Sequence, residues 1–298
     1  MGHRIVEIGS SAFLRKNLDR LEIRRQGEVL DTIPIEDLAV VLLDGDGIAL
    51  TADLLAAFAQ AGVLCAVSDD RHLPCALCLP YESNARHAQT VQQQAACSLP
   101  KRKGIWRQIV RAKIREQANA LEVRGHARGA AKLREMMTRV RSGDPDNLEA
   151  QAALIYFDLF FGRDFYRDRT ELGVNAMLNY GYAIIRGMVA RALVGAGLHP
   201  ALGVHHCGPY NPFNLADDAM EPLRPVADLV VADVSERFPD AKELTPEIKR
   251  ELLTITVLSV TFAGISLPIL TALERYSAIL REAICGERRK VETPSLSR

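Results

Sequence analysis

The sequence has little that would place it in a membrane. It contains no run of about 18 apolar residues, the length that a membrane-spanning helix requires. Its first residues, MGHRIVEIGS, lack the long apolar segment and the cleavage site of a signal peptide. We therefore expect a soluble, cytoplasmic protein with no membrane partner.

Disulfide bonds are not expected either, although the chain has six cysteines. Without an export signal, these side chains are expected to be reduced thiols. Cys75 and Cys78 have the spacing of half a structural zinc site, but no second pair follows at a suitable distance. The surrounding segment LPCALCLPY is typical of a buried strand, so packing is the preferred interpretation.

The chain has no net charge, and its 48% hydrophobic and 25% charged residues are typical of a globular protein with a sizeable core. Short apolar segments separated by Gly, Asp or Pro precede residue 82, and long helical periods follow residue 91. The sequence thus predicts an α+β protein, with a β-rich N-terminal domain over 1–84 and a larger, all-α domain over 85–298. The polar tail from about residue 287 is expected to be flexible.

The pattern predicts strands at 5–8, 21–25, 29–33, 38–43, 64–67 and 75–79, with a turn at 25–28. It predicts helices at 52–61, 105–123, 127–141, 147–161, 174–196, 214–234 and 246–284. The last helix is expected to be broken near Pro268, because proline removes a backbone donor and clashes with the preceding turn.

Positive charge is concentrated between Lys101 and Arg141, where thirteen Lys or Arg residues accompany three acids. Several recur at helical spacing, so a pair of helices would present a basic face suited to a polyanion. A solvated helical surface is the alternative, but acids that could form i,i+4 ion pairs are mostly missing. The candidate DNA-binding residues are Arg107, Arg111, Lys113, Arg115, Arg128 and Lys132.

The segment GVHHCGPYNPFNLADDAMEP carries a group of imidazoles and carboxylates. They are His205, His206, Asp217, Asp218 and Glu221. Imidazole nitrogen and carboxylate oxygen suit Mn²⁺, Mg²⁺ or Zn²⁺, and the lack of an adjacent thiolate pair favours the oxygen-preferring metals. Asp218 and Glu221 would share one helical face. Alternatively, Asn214 caps the helix and the acids favour its first turn without a metal, and spacing does not separate these interpretations.

A further metal ligand would have to come from elsewhere in the chain. Glu149 is a candidate, because it stands at the start of the strongly apolar helix in DPDNLEAQAALIYFDLFF. Asp146 and Glu149 also fit a capping box, in which the glutamate returns to the helix start. From spacing alone, the cap is the better interpretation.

Three segments together resemble the family of CRISPR-associated spacer-acquisition integrases, and in particular its type II branch. They are DPDNLEAQAALIYFDLFFGRDFYRD, NAMLNYGYAIIRGMVARALVGAGLHPALGVHH and FNLADDAMEPLRPVAD. The segment TADLLAAFAQAGVLCAVSDDRHLPCALCLPY also resembles the helix and final strands that precede the linker of that family. The resemblance covers nearly the whole chain, and it implies a β-rich N-terminal domain followed by an α-helical catalytic domain.

The resemblance implies that Glu149, His206 and Glu221 hold Mg²⁺ or Mn²⁺, and that Asp218 is a further active-site acid. His205 would then be a neighbour of the site. The implied reaction is attack by the 3′-hydroxyl of a captured DNA fragment on a phosphodiester of the CRISPR repeat, with endonucleolytic hydrolysis at the same centre.

The resemblance also implies double-stranded DNA as substrate and a homodimer, for which the N-terminal domain is the expected interface. Further implied partners are a small second adaptation protein that bridges two dimers and, in type II systems, the effector nuclease. Two other classes stay open: a non-catalytic nucleic-acid-binding scaffold, and a metal-dependent hydrolase of small phosphoesters. Dependence on metal excludes the first, and dependence on DNA length excludes the second.

Overall fold

The computed structural model describes residues 4–69, 74–78, 84–163, 165–168 and 170–296. Its N-terminal part is rich in strands, as predicted. The elements are β1 (Arg4–Ile8), β2 (Ala12–Asn17), β3 (Arg20–Arg25), β4 (Glu28–Pro34), β5 (Leu38–Leu43), β6 (Ile48–Leu50), α1 (Ala52–Ala61), β7 (Leu64–Ser68) and β8 (Pro74–Cys78). The sequence missed β2 and β6. Of the predicted strand at 75–79, residue 79 lies outside the described residues.

Two four-stranded sheets form this part. In the first, ordered β1-β5-β7-β8, the strands β1 and β7 run parallel to β5, and β8 is antiparallel to β7. The second has the order β4-β3-β2-β6, and its β3–β4 hairpin turns at Gln26 and Gly27, both with positive φ. β8 is an edge strand, and Cys75 and Cys78 are exposed there, so the prediction of a buried strand around them is wrong.

The central strand β5 explains how the two halves of the chain meet. All six of its residues are buried, because a parallel central strand is covered on both faces. Successive side chains point to opposite faces: Val41 and Leu43 pack into the N-terminal core, and Val40 and Leu42 into the helical core. A buried ion pair also connects the two halves beside the end of β5. Lys249 Nζ of the helical part lies 2.7 Å from Asp44 Oδ2.

The rest of the chain is mainly helical. The elements are α2 (His87–Ala95), α3 (Leu99–Val123), α4 (Ala127–Arg139), α5 (Leu148–Phe160), α6 (Val174–Gly195), α7 (Asn214–Met220), α8 (Arg224–Arg237), α9 (Pro246–Leu253), β9 (Ser259–Phe262), β10 (Ile265–Pro268), α10 (Ile269–Cys285) and β11 (Ser295–Leu296). The α+β fold class is confirmed, and the change from strands to helices falls between β8 and α2. The domain boundary at residue 84 stays a prediction. No helix in the described ranges is long and apolar enough to cross a bilayer.

Two predicted helices are divided in the structure. The helix predicted at 214–234 is split by a 3₁₀ turn, Glu221–Leu223, where Pro222 and Pro225 prevent a regular helical hydrogen-bond ladder. Within 246–284, β9 and β10 form a hairpin at Ala263 and Gly264, both with positive φ. The helical part is therefore not all-α.

The described part of the C-terminal tail contacts the helical part, and its flexibility stays a prediction. Val291 is buried, and β11 pairs antiparallel with β9. The backbone N–H of Leu296 donates to Glu116 Oε2 at 2.9 Å, and Arg115 Nη2 donates to Thr293 Oγ1 at 2.9 Å. Strand pairing with β9 and hydrogen bonds to α3 hold this segment. Neither kind of contact can be predicted from apolar periodicity in the sequence.

Candidate active site

Two of the predicted metal ligands meet at one cation. Glu149 lies in the first turn of α5, and Glu221 begins the 3₁₀ turn before α8. Lys113, on the buried side of α3, places its Nζ 2.5 Å from Glu149 Oε1 and 2.6 Å from Glu221 Oε2. Three elements that are distant in sequence therefore converge on this ammonium group.

Glu149 is free to point into the site because another acid caps its helix. The carboxylate of Asp144 accepts hydrogen bonds from the backbone N–H groups of Leu148 at 3.0 Å and Glu149 at 2.9 Å. Asp146 instead pairs with Arg141 at 2.8 Å. The capping-box interpretation of Glu149 is therefore wrong, and its side chain turns toward α3.

Glu221 is buried and held by two cations. Arg224 Nε donates to Glu221 Oε1 at 2.9 Å, while Lys113 lies beside Oε2. Burial by itself raises the pKa of Glu221, but Arg224 and Lys113 outweigh it and lower that pKa to about 2. Burial opposes the charge on Lys113, yet Glu221 and Glu149 raise its pKa above the usual value. Glu221 and Lys113 are therefore both charged at neutral pH.

Asp218 holds the loop that carries His205 and His206. Its fully buried carboxylate accepts from the backbone N–H groups of Val204 at 2.6 Å, His205 at 3.0 Å and His206 at 3.0 Å. A fourth contact joins its Oδ1 to His206 Nδ1 at 2.7 Å. A carboxylate that accepts four hydrogen bonds has little capacity left for a metal, so Asp218 is a positioning residue.

The alternative in which Asn214 caps a helix is also wrong. α7 begins at Asn214 itself, whose side chain bonds the loop: Oδ1 accepts from Gly208 N at 3.1 Å, and Nδ2 donates to Ala201 O at 3.2 Å. The neighbouring acid Asp217 pairs with Arg186, with Nε to Oδ1 at 2.9 Å.

The two adjacent histidines have different surroundings. The ring of His205 stacks on buried Trp106, with ring centroids 4.1 Å apart and planes 1° apart. His206 is held by Asp218, and this hydrogen bond raises its pKa against the effect of burial. Because an ionised Asp218 can only accept, Nδ1 of neutral His206 carries the proton and Nε2 keeps its lone pair. The geometry favours His206 as the metal ligand.

A buried tyrosine pair supports Arg224. The hydroxyl groups of Tyr156 and Tyr182 donate to Asp228 at 2.9 and 2.5 Å, and burial raises the pKa of Asp228 to about 6. The guanidinium carbon of Arg224 lies 4.6 Å from the centroid of the Tyr182 ring. Arg224 is thus fixed between an aromatic face and Glu221.

Beside the cluster lies a cavity of about 320 Å³. Its lining includes His206, three arginines and one acid; they are Arg167, Arg186, Arg224 and Asp217, which pairs with Arg186. Arginine binds phosphate oxygens in a planar, bidentate manner, so this cavity suits a phosphodiester better than a neutral ligand.

The donor set fits a divalent cation, although none of the described His, Cys, Asp and Glu residues form a ready group of three or more around a metal position. Glu149 and Glu221 already converge on one positive charge, and Asp218 leaves His206 Nε2 available. Two carboxylates and an imidazole are suitable ligands for Mg²⁺ or Mn²⁺. The ammonium group of Lys113 lies between the two glutamates.

The six predicted DNA-binding residues do not form one exposed face. Arg107, Arg111 and Arg115 are half-buried on α3, and Lys113 is buried in the acidic cluster. Of the six, Arg128 and Lys132 are exposed, one turn apart on α4.

Three arginines of this basic segment do have acidic partners, but none of these partners is at i,i+4 spacing. Arg124 pairs with Glu236 of α8, Arg134 with Glu122, and Arg141 with Asp146. The Glu236 pair depends on how α3 packs against α8, which sequence spacing cannot show.

Sequence reasoning also missed three residues that shape the site. They are Trp106, which stacks on His205, Asp144, which caps the helix of Glu149, and Lys113, which it assigned to a DNA-binding surface. Asp144, five residues before Glu149, was a visible capping signal.

Comparison with known proteins identifies relatives by sequence. The family model described as CRISPR associated protein Cas1 matches residues 6–242. A Neisseria meningitidis protein named CRISPR-associated endonuclease Cas1 is 42% identical over 249 residues, covering 84% of this chain and 81% of the relative. One from Pyrobaculum aerophilum, named CRISPR-associated endonuclease Cas1 2, is 27% identical over 264 residues, covering 85% and 89%.

Solved structures share the fold. A Cas1 protein from Thermotoga maritima has a TM-score of 0.79 at 16% identity, covering 99% of this chain and 100% of that chain. A casposase bound to integration product has a TM-score of 0.77 at 18% identity, covering 97% and 92%. A Cas6-RT-Cas1–Cas2 complex gives 0.74 at 17% identity, covering 97% of this chain and 36% of that chain. With the family model matched over most of its length, the chain belongs to the Cas1 family of CRISPR-associated proteins.

Proposed function

We propose that this protein is a divalent-metal-dependent DNA endonuclease and integrase of CRISPR adaptation. It inserts captured DNA fragments as new spacers by attack of a 3′-hydroxyl on a phosphodiester of the repeat. The observation that carries the proposal is the convergence of Glu149 and Glu221 on one cation, beside a histidine whose Nε2 is left free.

Each residue of the cluster has its own role in this chemistry. Glu149, Glu221 and His206 Nε2 would hold Mg²⁺ or Mn²⁺, which when bound supplies Lewis-acid stabilisation of the charge that develops on the phosphate. Asp218 keeps the His206 ring oriented and its Nδ1 protonated. Arg224 keeps Glu221 ionised and in place.

Substrate binding is assigned to the arginine-lined cavity. Arg167 and Arg186 would contact phosphate oxygens, and Arg128 and Lys132 would add charge along the duplex. Such contacts give affinity with little sequence information.

The named relatives support this activity and its partners. The Neisseria meningitidis relative is an endonuclease by name, and one solved structure with the same fold is bound to integration product. Another is a complex that contains Cas2, which supports a small second adaptation protein as partner. We propose that the chain also forms a homodimer, works on double-stranded DNA in the cytoplasm and, in a type II system, receives fragments with help from the effector nuclease.

A half-site integration assay on a repeat-containing plasmid tests the proposal, with and without the second adaptation protein. We expect metal-dependent joining of a 3′-hydroxyl end by the wild type, and its loss in Glu149→Gln, His206→Ala and Glu221→Gln. His205→Ala is the matched control, and loss in that variant with retention in His206→Ala would reverse the choice of ligand.

The same assay separates the other classes. If strand transfer survives all three substitutions, the joining activity comes from elsewhere. The protein is then a non-catalytic nucleic-acid-binding scaffold. Hydrolysis of small phosphoesters that is indifferent to DNA length would point to a general phosphodiesterase.

A further inference from the structure

We propose that Lys113 is a resident cation that competes with the divalent metal for Glu149 and Glu221, so that the site is loaded only when the ammonium group is displaced. This inference rests on the proposed function, because it concerns the same metal ligands. It gives Lys113 a role in metal selectivity that is separate from DNA binding.

The first support is the position of Lys113. Its Nζ contacts one oxygen of each glutamate, at 2.5 and 2.6 Å, and the side chain is 10% exposed. Mg²⁺ requires oxygen ligands at about 2.0–2.1 Å in near-octahedral geometry. An ammonium group and a divalent ion on the same two oxygens would lie close together, so their positive charges repel.

The second support is that Glu221 already lies between two cations. Its Oε1 accepts from Arg224 Nε at 2.9 Å, and its Oε2 lies beside Lys113. A divalent ion on Glu221 would repel both cations, so we expect one of them to move away when the ion binds. Arg224 is packed over the Tyr182 ring at 4.6 Å, whereas Lys113 ends in an unbranched, flexible chain. Lys113 is the cation that can leave.

Lys113 should therefore keep weakly binding ions away from Glu149 and Glu221. Because Lys113 is tethered beside both carboxylates, its effective local concentration is far above that of Na⁺ or K⁺ in solution. A monovalent ion gains no more from the two glutamates than the ammonium group does. A doubly charged ion gains more from the same pair of carboxylates, so the site selects divalent cations at the cost of some affinity.

The test measures Mn²⁺ binding directly, by the loss of the electron paramagnetic resonance signal of free Mn²⁺ on titration of the protein. We expect Lys113→Met to bind Mn²⁺ at least about tenfold more tightly than the wild type, because no buried ion pair has to be broken. Without metal, Lys113→Met should melt at a lower temperature, since its glutamates have lost a partner, and saturating Mn²⁺ should raise its Tm more than that of the wild type.

Lys249→Met is the matched control, because it also breaks a buried lysine–carboxylate pair, with Asp44 at 2.7 Å, but outside the acidic cluster. It should lower Tm without changing Mn²⁺ affinity. If Lys113→Met fails to fold, Lys113→Gln provides the same comparison with a polar side chain.

The outcomes separate the two proposals. Equal Mn²⁺ affinity in the wild type and the Lys113 variant overturns the competition while leaving the metal site intact. Absence of Mn²⁺ binding in both proteins overturns the metal site itself and the inference with it.

Discussion

Individual residues in this site are held in place by buried charge. Glu221 is ionised despite complete burial because Arg224 and Lys113 flank it, and Asp218 is saturated with backbone donors from 204–206. Buried ionic groups tolerate little change, since removing one partner leaves the other uncompensated. Substitutions here should alter stability as well as chemistry.

Glu221→Gln should lower the stability of the protein by an amount that depends on pH. The folded pKa of Glu221 is about 2, below its ordinary value of 4.5, so its contribution to stability is present above pH 4.5 and lost as pH falls toward 2. We expect Glu221→Gln to lower the free energy of unfolding by about 3–5 kcal/mol at pH 7. Urea denaturation from pH 7 downward should show this difference shrinking below pH 4.5. A constant difference would contradict the assigned ionisation.

Asp218→Asn should weaken the site through His206. An amide has one acceptor oxygen, so it cannot replace a carboxylate that binds three backbone N–H groups and the imidazole Nδ1. We expect about a 10–100-fold loss of Mn²⁺ affinity in calorimetric titrations. Asp217→Asn, which changes the adjacent acid that pairs with Arg186, serves as control. Equal losses in both variants would show that Asp218 has no special positioning role.

Sequence information at the residue scale was sufficient to propose the ligands but not their surroundings. Glu149, His206 and Glu221 were selected by family resemblance, and the structure brings the two glutamates together. The role of Lys113 depends on the packing of α3 against α5 and the 3₁₀ turn, and no local spacing encodes that contact. Helix capping was misassigned because both Asp144 and Asp146 precede Glu149 closely enough to be candidates.

At the scale of elements, helices with clear apolar periods were predicted well and short strands were not. The predicted helices at 127–141, 147–161 and 174–196 differ from α4, α5 and α6 by at most two residues at either end. β9, β10 and β11 have four, four and two residues, and their stability comes from pairing with one another. Such strands are specified by tertiary contacts, which a local pattern does not carry.

Removal of residues 290–298 tests the role of the tail. The deletion exposes the surface that Val291 covers, and it removes the Leu296 N–H that bonds the fully buried Glu116. We expect a loss of about 1–3 kcal/mol in the free energy of unfolding, because a buried acceptor is left with fewer partners. Thermal and urea denaturation of the truncated protein measure it. An unchanged Tm would mean that the tail is a passive extension.

For the whole molecule, the sheet containing β5 joins two cores, and charge is distributed without a net excess of either sign. Electrostatic attraction of the proposed DNA substrate would therefore come from local groups, such as the arginine-lined cavity and the exposed pair on α4. The change from strands to helices was visible in the sequence, whereas the contact of both halves with one sheet was not, because it depends on which face of β5 each half covers.

Salt dependence of DNA binding tests this distribution of charge. Removing one basic side chain that binds a phosphate should reduce the slope of log K against log salt concentration by about 1. We expect Arg128→Ala and Lys132→Ala to weaken binding equally for all sequences and to lower the slope in fluorescence anisotropy titrations. Glu135→Ala on the same helix is a control that should not lower it. An unchanged slope in both basic variants would place the duplex elsewhere.

The most direct measurement of the central claim is the position of a bound metal. Crystals grown with Mn²⁺ should show an anomalous difference peak at about 2.0–2.3 Å from carboxylate oxygens of Glu149 and Glu221 and from His206 Nε2, with Lys113 Nζ moved away. A peak at another site, or none at these residues while strand transfer still depends on Mn²⁺, would contradict the account.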